Sequence, residues 1–152
     1  SFFKMGLAKL GFLYKTLVLE HAKQPHHYAI HLPEGSHQKT LHNPTCGDTV
    51  NVAVQIQNGQ LQKVCFNGQG CTISQAAASM MTDELTGRSV DEAQQLIQAF
   101  LDLCMGKEIS PTMQRKLGDA AVMGTVAEFP ARIKCATLSW HAVQEILMQN
   151  DQ

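Results

Sequence analysis

The chain has 152 residues, 44% of them hydrophobic, and its 12 Lys and Arg against 13 Asp and Glu give a formal net charge of −1. That length suits one compact domain and is short for two. The near-neutral balance, with no basic stripe, argues against an electrostatic nucleic-acid binder, and no run approaches the ~18 apolar residues of a membrane span.

The opening "SFFKMGLAKLGFL" has too short an apolar region, and no A-x-A-like cleavage site, to read as a signal peptide. Met5 reads as the natural start, residues 1–6 as a disordered extension of a single domain over 1–152, and the cytoplasm as the expected location. Leu10, Leu13, Tyr14, Leu17, Val18 and His21 recur at helical spacing, which predicts a helix over 7–22, ended by "KQPHH". A polar connection then leads to three strand candidates: 39–42, "DTVNVAVQIQ" and "LQKVCFN". Val50, Val52, Val54 and Ile56 share one face of the second, and Asn58–Gly59 is a hairpin signal before the third. "GQGCTISQAAASMMTDELTG" predicts a turn and a helix rich in small residues and Met. "SVDEAQQLIQAFLDLC" predicts a helix with Ser89 and Glu92 as a capping box. "KEISPTMQRK" reads as a polar link, "LGDAAVMGTVAEF" as a short helical piece, and "ARIKCATLSWHAVQEILMQ" as a last helix with a stripe of Ile133, Ala136, Trp140, Val143 and Leu147. Strands first and helices afterwards predict an α+β fold: a three-stranded antiparallel sheet with helices packed on it, in a single domain.

The five cysteines, without a secretion signal, argue against a disulfide framework. Cys65 within a strand and Cys104 at the end of an apolar helix face read as core thiols. Cys46 lies in a Pro–Gly turn, Cys71 opens a helix, and Cys135 lies near the start of the last helix, off its apolar stripe and beside Arg132 and Lys134. Three thiols at element ends is the distribution of a site assembled from separated loops. Asp48 could add an oxygen to make a tetrahedral Cys3Asp zinc site, or serve only as a turn residue bonding its own backbone. There is no CxxC pair of the zinc-finger kind. His26 and His27 read as solvated loop residues, with an accessory metal ligand as the alternative, and His141 as a helix-surface residue. Ser74 lacks a nucleophile-elbow context, and "NGQG" lacks the Lys–Ser/Thr of a phosphate loop. Met80 and Met81 read as core.

"NPTCGD", "NGQGCTIS" and "RIKCATLSW", in this order, resemble the U-type iron–sulfur cluster assembly scaffold family (IscU and SufU), a likeness running from about residue 10 to 147. The long segment holding "EISPTMQRKLGDAAVMGTVAEFP", and Lys134 before Cys135 where IscU-type scaffolds carry a His, resemble the SufU branch. "FPARIK" stands where IscU-type scaffolds carry the segment that engages a dedicated chaperone. The resemblance implies zinc held by Cys46, Asp48, Cys71 and Cys135, and a SufS-type cysteine desulfurase as partner, with Cys46 leaving the metal to accept persulfide sulfur. Arg132 and Lys134 are candidate stabilisers of the thiolate or persulfide, or else solvated helix charges. Three functions follow: a zinc-dependent sulfurtransferase that stimulates the desulfurase; a scaffold building a transient [2Fe–2S] cluster, or holding iron, for apo-proteins; or a zinc-stabilised domain without transfer chemistry.

Overall fold

The computed structural model describes residues 7–150, with only the backbone of Leu7 and Ala8; the expected extension at 1–6 lies outside the described residues. Helix α1 (Leu7–Lys23) leads to a three-stranded antiparallel sheet in the order β1 (His37–Asn43), β2 (Asp48–Gln57), β3 (Gln60–Gln69). Then follow α2 (Thr72–Leu85), α3 (Val90–Cys104), α4 (Pro111–Lys116), a 3-10 segment (Gly118–Glu128) and α5 (Pro130–Gln149). This is the α+β architecture the sequence predicts. Among the described residues no helix is long and apolar enough to cross a membrane.

Sequence chemistry sets the hairpin. Asn58 and Gly59 have φ of 54° and 74°, the two positive values a type I′ turn requires, so β2 folds straight back on β3. The register pairs Val52 with Phe66 and Val54 with Val64, and this face carries the core. Helices α2, α3 and α5 pack on it, and α1 packs on α2. On the opposite face Thr40 donates to Asn51, Asn51 to Asn67, and Asn67 to the carbonyls of Ala29 and Ile30. Simple alternation does not hold throughout this face, because Ala53 and Cys65, paired across β2 and β3, are buried there. The edge of β3 is covered by the α1–β1 connection, where Ala29 N–H donates to Phe66 O and Phe66 N–H to His27 O.

Two helices are more deeply set than amphipathic patterning predicts. Ala76, Ala77, Ala78 and Ser79 bury α2 on nearly every side, since small side chains admit α1 and α5 at close range. Helix α5 is buried continuously from Cys135 to Trp140, whereas Ile133, expected in the stripe, is only half-buried. Trp140 stacks on Phe100 of α3 with ring centroids 3.8 Å apart, and its indole N–H donates to the carbonyl of Ala77. "KEISPTMQRK" is not merely a link: Ser110 caps α4 by accepting from Met113 N–H, and Pro111 occupies the first turn, where a missing N–H costs nothing. The capping box of α3 is half made. Ser89 accepts from Glu92 N–H, but the Glu92 carboxylate turns to Arg88 and Lys116.

Candidate metal centre

The sheet's end brings three segments together. Asn43 and Asp48 close the β1–β2 connection as register partners, and Cys46 sits on the turn between them, followed by Gly47 at φ 69°. Cys71 is the N-cap of α2, its sulfur accepting from Ser74 N–H at 3.4 Å. Cys135 lies early in α5 and is 1% exposed, so it is not off the buried surface of that helix as the spacing predicts. The helix is buried all round at this level, which a single-stripe reading cannot capture.

Cys135 Sγ lies 3.2 Å from Cys46 Sγ, and Cys46, Asp48 and Cys135 offer ligand atoms all within 4.8 Å of one another. Cys71 Sγ joins from the side, 4.0 Å from Asp48 Oδ2. Asp48 is almost wholly buried and both its oxygens are held. Cys71 N–H donates to Oδ1 at 2.8 Å, and Asn43 Nδ2 donates to Oδ2 at 3.1 Å. Asn43 Nδ2 also approaches Cys135 Sγ at 3.7 Å, while its buried Oδ1 has no partner. The sequence reading missed Asn43. Its signal is in the opening Asn–Pro, where the side chain can turn inward as the chain enters the turn.

Glycines make room for this packing. A Cβ on Gly70 would stand 2.5 Å from Asp48 Oδ1 and 2.8 Å from Ser74 Oγ, and Gly68, at φ 126°, passes too close to the Thr49 carbonyl for any side chain. "NGQG" is therefore not a phosphate cradle but the close approach that lets Asp48 reach the start of α2.

The donor set fits a tetrahedral cation. Ligand bonds of ~2.3 Å to sulfur and ~2.1 Å to oxygen separate two sulfurs by about 3.8 Å and a sulfur from an oxygen by about 3.6 Å. The 3.2 Å between Cys135 and Cys46 and the 4.0 Å between Cys71 and Asp48 straddle these values, whereas Cys71 stands outside the group that lies within 4.8 Å, so its side chain must swing inward to complete the set. Burial, the hydrogen bonds its S–H donates to Cys46 and Cys71, and the charges of Cys71 and Asp48 hold the Cys135 thiol far above its ordinary pKa. A cation among these groups reverses the balance and favours thiolates. Asn43 and the Cys71 amide supply the outer hydrogen bonds that orient a ligating carboxylate.

The other candidates fall elsewhere. Cys65 and Cys104 are buried core thiols, Cys104 pushed up to about 12 by burial. Arg132 and Lys134 are exposed, and among the described residues the Arg132 side chain makes no hydrogen bond or ion pair. Arg132 does act on Tyr14 of α1: burial raises that phenol's pKa, the Arg132 charge opposes it, and Cys71, Cys104 and Cys135 add to it. Tyr14 is thus a neighbour of the thiols that helical spacing marked only as part of a stripe. His26 and His27 pair with Asp83 near the far end of α2, some 12 residues or ~18 Å of helix beyond Cys71, and so do not join the thiols. His141 is on the surface.

Three thiols and a carboxylate, drawn from a hairpin turn and the starts of two helices, define an α+β protein with a group of side chains able to hold a metal ion. Residues 13–136 match the NifU-like N terminal domain, and the chain belongs to that family, which includes the IscU and SufU iron–sulfur cluster assembly proteins. It is 41% identical over 146 residues to an iron–sulfur cluster assembly scaffold protein IscU of Streptococcus pyogenes, covering 96% of this chain and 89% of that one. It is 36% identical over 138 residues to the zinc-dependent sulfurtransferase SufU of Bacillus subtilis, covering 91% of each. A crystal structure from Fervidobacterium islandicum, described as a cluster assembly scaffold for the SUF system, superposes with a TM-score of 0.77 at 26% identity, covering 90% of this chain and 97% of that one. A hypothetical protein solved at 2.3 Å reaches 0.83 at 40% identity, covering 91% and 98%.

Proposed function

We propose that this protein is a zinc-dependent sulfur acceptor in iron–sulfur cluster assembly, with Cys46, Asp48, Cys71 and Cys135 as ligands and Cys46 as the acceptor. The observation that carries this reading is the contrast within the cluster: Asp48 and Cys135 are buried, whereas Cys46 is half-exposed on a turn, 3.2 Å from Cys135. Cys71 is half-exposed too, but it caps α2, whereas Cys46 stands on a turn and is the reachable ligand with more freedom to leave. The reading is supported by the B. subtilis relative's name and by the long segment before Cys135.

When bound, zinc supplies thiolates without redox chemistry of its own and tolerates ligand exchange. The Cys46 thiolate attacks the outer sulfur of a cysteine persulfide on a SufS-type desulfurase. A new Cys46 S–S bond forms, the desulfurase S–S bond breaks, and its electron pair leaves on the desulfurase cysteine as thiolate. No external oxidant or reductant is needed. Asp48 stays anchored by Asn43 and the Cys71 amide while Cys46 moves away. Arg132, exposed and three residues before Cys135 in α5, is the candidate cation for the anionic persulfide. Downstream iron–sulfur scaffolds or apo-proteins receive the sulfur, in the cytoplasm, with residues 1–152 working as one domain.

The test is desulfurase turnover under reducing conditions with metal-loaded wild type and Cys46→Ala. Wild type is expected to raise turnover severalfold and Cys46→Ala to leave it at the basal rate; equal stimulation by both would sink the acceptor assignment. A second reading, a scaffold carrying a [2Fe–2S] cluster, is supported by the name of the S. pyogenes relative. It predicts a coloured protein that passes its cluster to an apo-ferredoxin, whereas the acceptor reading predicts a colourless zinc protein.

A further inference from the structure

At the far end of α2 lies a second cluster of metal-binding side chains. His21 of α1, His26 of the following turn and Asp83 of α2 offer two imidazole nitrogens and a carboxylate oxygen all within 4.8 Å of one another. His26 Nδ1 is 2.5 Å from Asp83 Oδ2, and His27 Nε2 is 3.3 Å from Asp83 Oδ1. Three imidazoles thus converge near one carboxylate, and among the described residues Asp83 pairs with no lysine or arginine.

The surroundings fix these groups. Ser79 Oγ lies 2.7 Å from His21 Nδ1 and accepts from His26 N–H, also at 2.7 Å. A hydroxyl has two lone pairs, so it can accept from both; His21 then carries its proton on Nδ1 and leaves Nε2 basic. Imidazole ligands take their tautomer from such an outer partner. Thr82 Oγ1 donates to the His26 and Ser79 carbonyls, and His27 is held at φ 56° in a turn whose backbone bonds to β3. His21 is 5% exposed. The His26 and Asp83 side chains are 52% and 31% exposed, which leaves an open side for entry and for a water ligand.

A hydrogen-bonded clasp needs one histidine per carboxylate. Here a buried imidazole is added behind it, its donor atom within 4.8 Å of the other two, a gap that side-chain movement can close to the about 3.3 Å spacing of two nitrogen ligands on a tetrahedral ion with bonds of ~2.0–2.1 Å. We propose that His21, His26 and Asp83, with His27 beside them, form a second site for a first-row divalent metal ion, of nitrogen and oxygen character and separate from the thiol cluster. Two imidazoles and one carboxylate with an open position suit zinc, cobalt, nickel or ferrous iron rather than calcium or magnesium. The site does not depend on whether the thiols transfer sulfur.

Cobalt(II) distinguishes the two sites, because only thiolate ligation gives an intense near-ultraviolet sulfur-to-metal band. Metal-stripped full-length chain is titrated with Co2+ in parallel as wild type, His26→Ala and Asp83→Asn, and Zn2+ stoichiometry is read by equilibrium dialysis. Wild type is expected to bind two ions, one with the thiolate band and one with weak visible bands alone. Each variant is expected to keep the thiolate band, which also reports a folded protein, and to bind the second ion at least tenfold more weakly. A wild type that binds one Co2+ or Zn2+ ion would overturn the proposal, as would a second ion bound equally well by both variants. Should a variant lose both signals, His26→Gln, with its own folding read by the thiolate band, decides the matter: unchanged affinity for the second ion overturns the proposal.

Discussion

Asn43 holds the buried half of the thiol cluster in place: one amide nitrogen faces both Asp48 and Cys135, and the amide oxygen is orphaned. Removing an outer hydrogen bond of this kind costs about 10–100-fold in metal affinity, so Asn43→Ala is expected to weaken zinc binding by that factor. Competition with a chromophoric chelator measures it, and an unchanged constant would show that Asp48 is held without Asn43. Gly70→Ala forces a methyl group into Asp48 and Ser74. It is expected to lower metal occupancy of the purified protein while circular dichroism stays near wild type. The thiols divide by burial and chemistry. After chelation, iodoacetamide at pH 8 is expected to label Cys46 and Cys71 and to spare Cys65, Cys104 and Cys135 until the chain is unfolded, as read by peptide mass spectrometry. At this scale the ligand types were legible, because three thiols stood at element ends. Asn43 and Tyr14 were not, because their importance comes from what the fold sets opposite them.

Elements with strong local chemistry were the readable ones. The Asn58–Gly59 turn, the Ser89 cap and the α1 stripe act within a few residues, so sequence spacing captures them. Helix α4 has the same kind of signal in Ser110–Pro111, overlooked because its short run lacks an apolar period. Loss of a serine cap costs about 1 kcal/mol, so Ser89→Ala is expected to lower the melting temperature by about 2–4 °C. Helix α5 was legible as a helix but not as the central one, for its burial depends on the small residues of α2 and the ring of Phe100. Trp140→Ala should cost about 3–5 kcal/mol and leave a poorly cooperative unfolding curve, whereas a loss below 1 kcal/mol would show that the stack is incidental.

For the molecule as a whole, the thiol cluster ties the β1–β2 turn to α2 and α5. An ion bound only by the folded state adds about 2.7 kcal/mol at a hundredfold excess over its dissociation constant. Chelation is therefore expected to lower the melting temperature by about 5–10 °C in calorimetry, an effect reversed by adding zinc. No change would show that the ligands are not assembled around an ion in the native state. The class and layer order could be read from sequence because the three strands run consecutively and a block of helices follows them. Which helix lies innermost could not, because side-chain volumes on different elements decide it.

Cys46 and Cys135 meet across 89 residues of chain. At synthesis rates of about 5–20 residues per second, Cys46 is made roughly 4–18 s before its partner. During that interval the thiol has no fourth ligand to share and no buried neighbour. The finished site therefore dates the chain: a polypeptide still on the ribosome, or one cut short before α5, presents a bare cysteine on a turn, and only one that has reached α5 sets that thiol against Cys135.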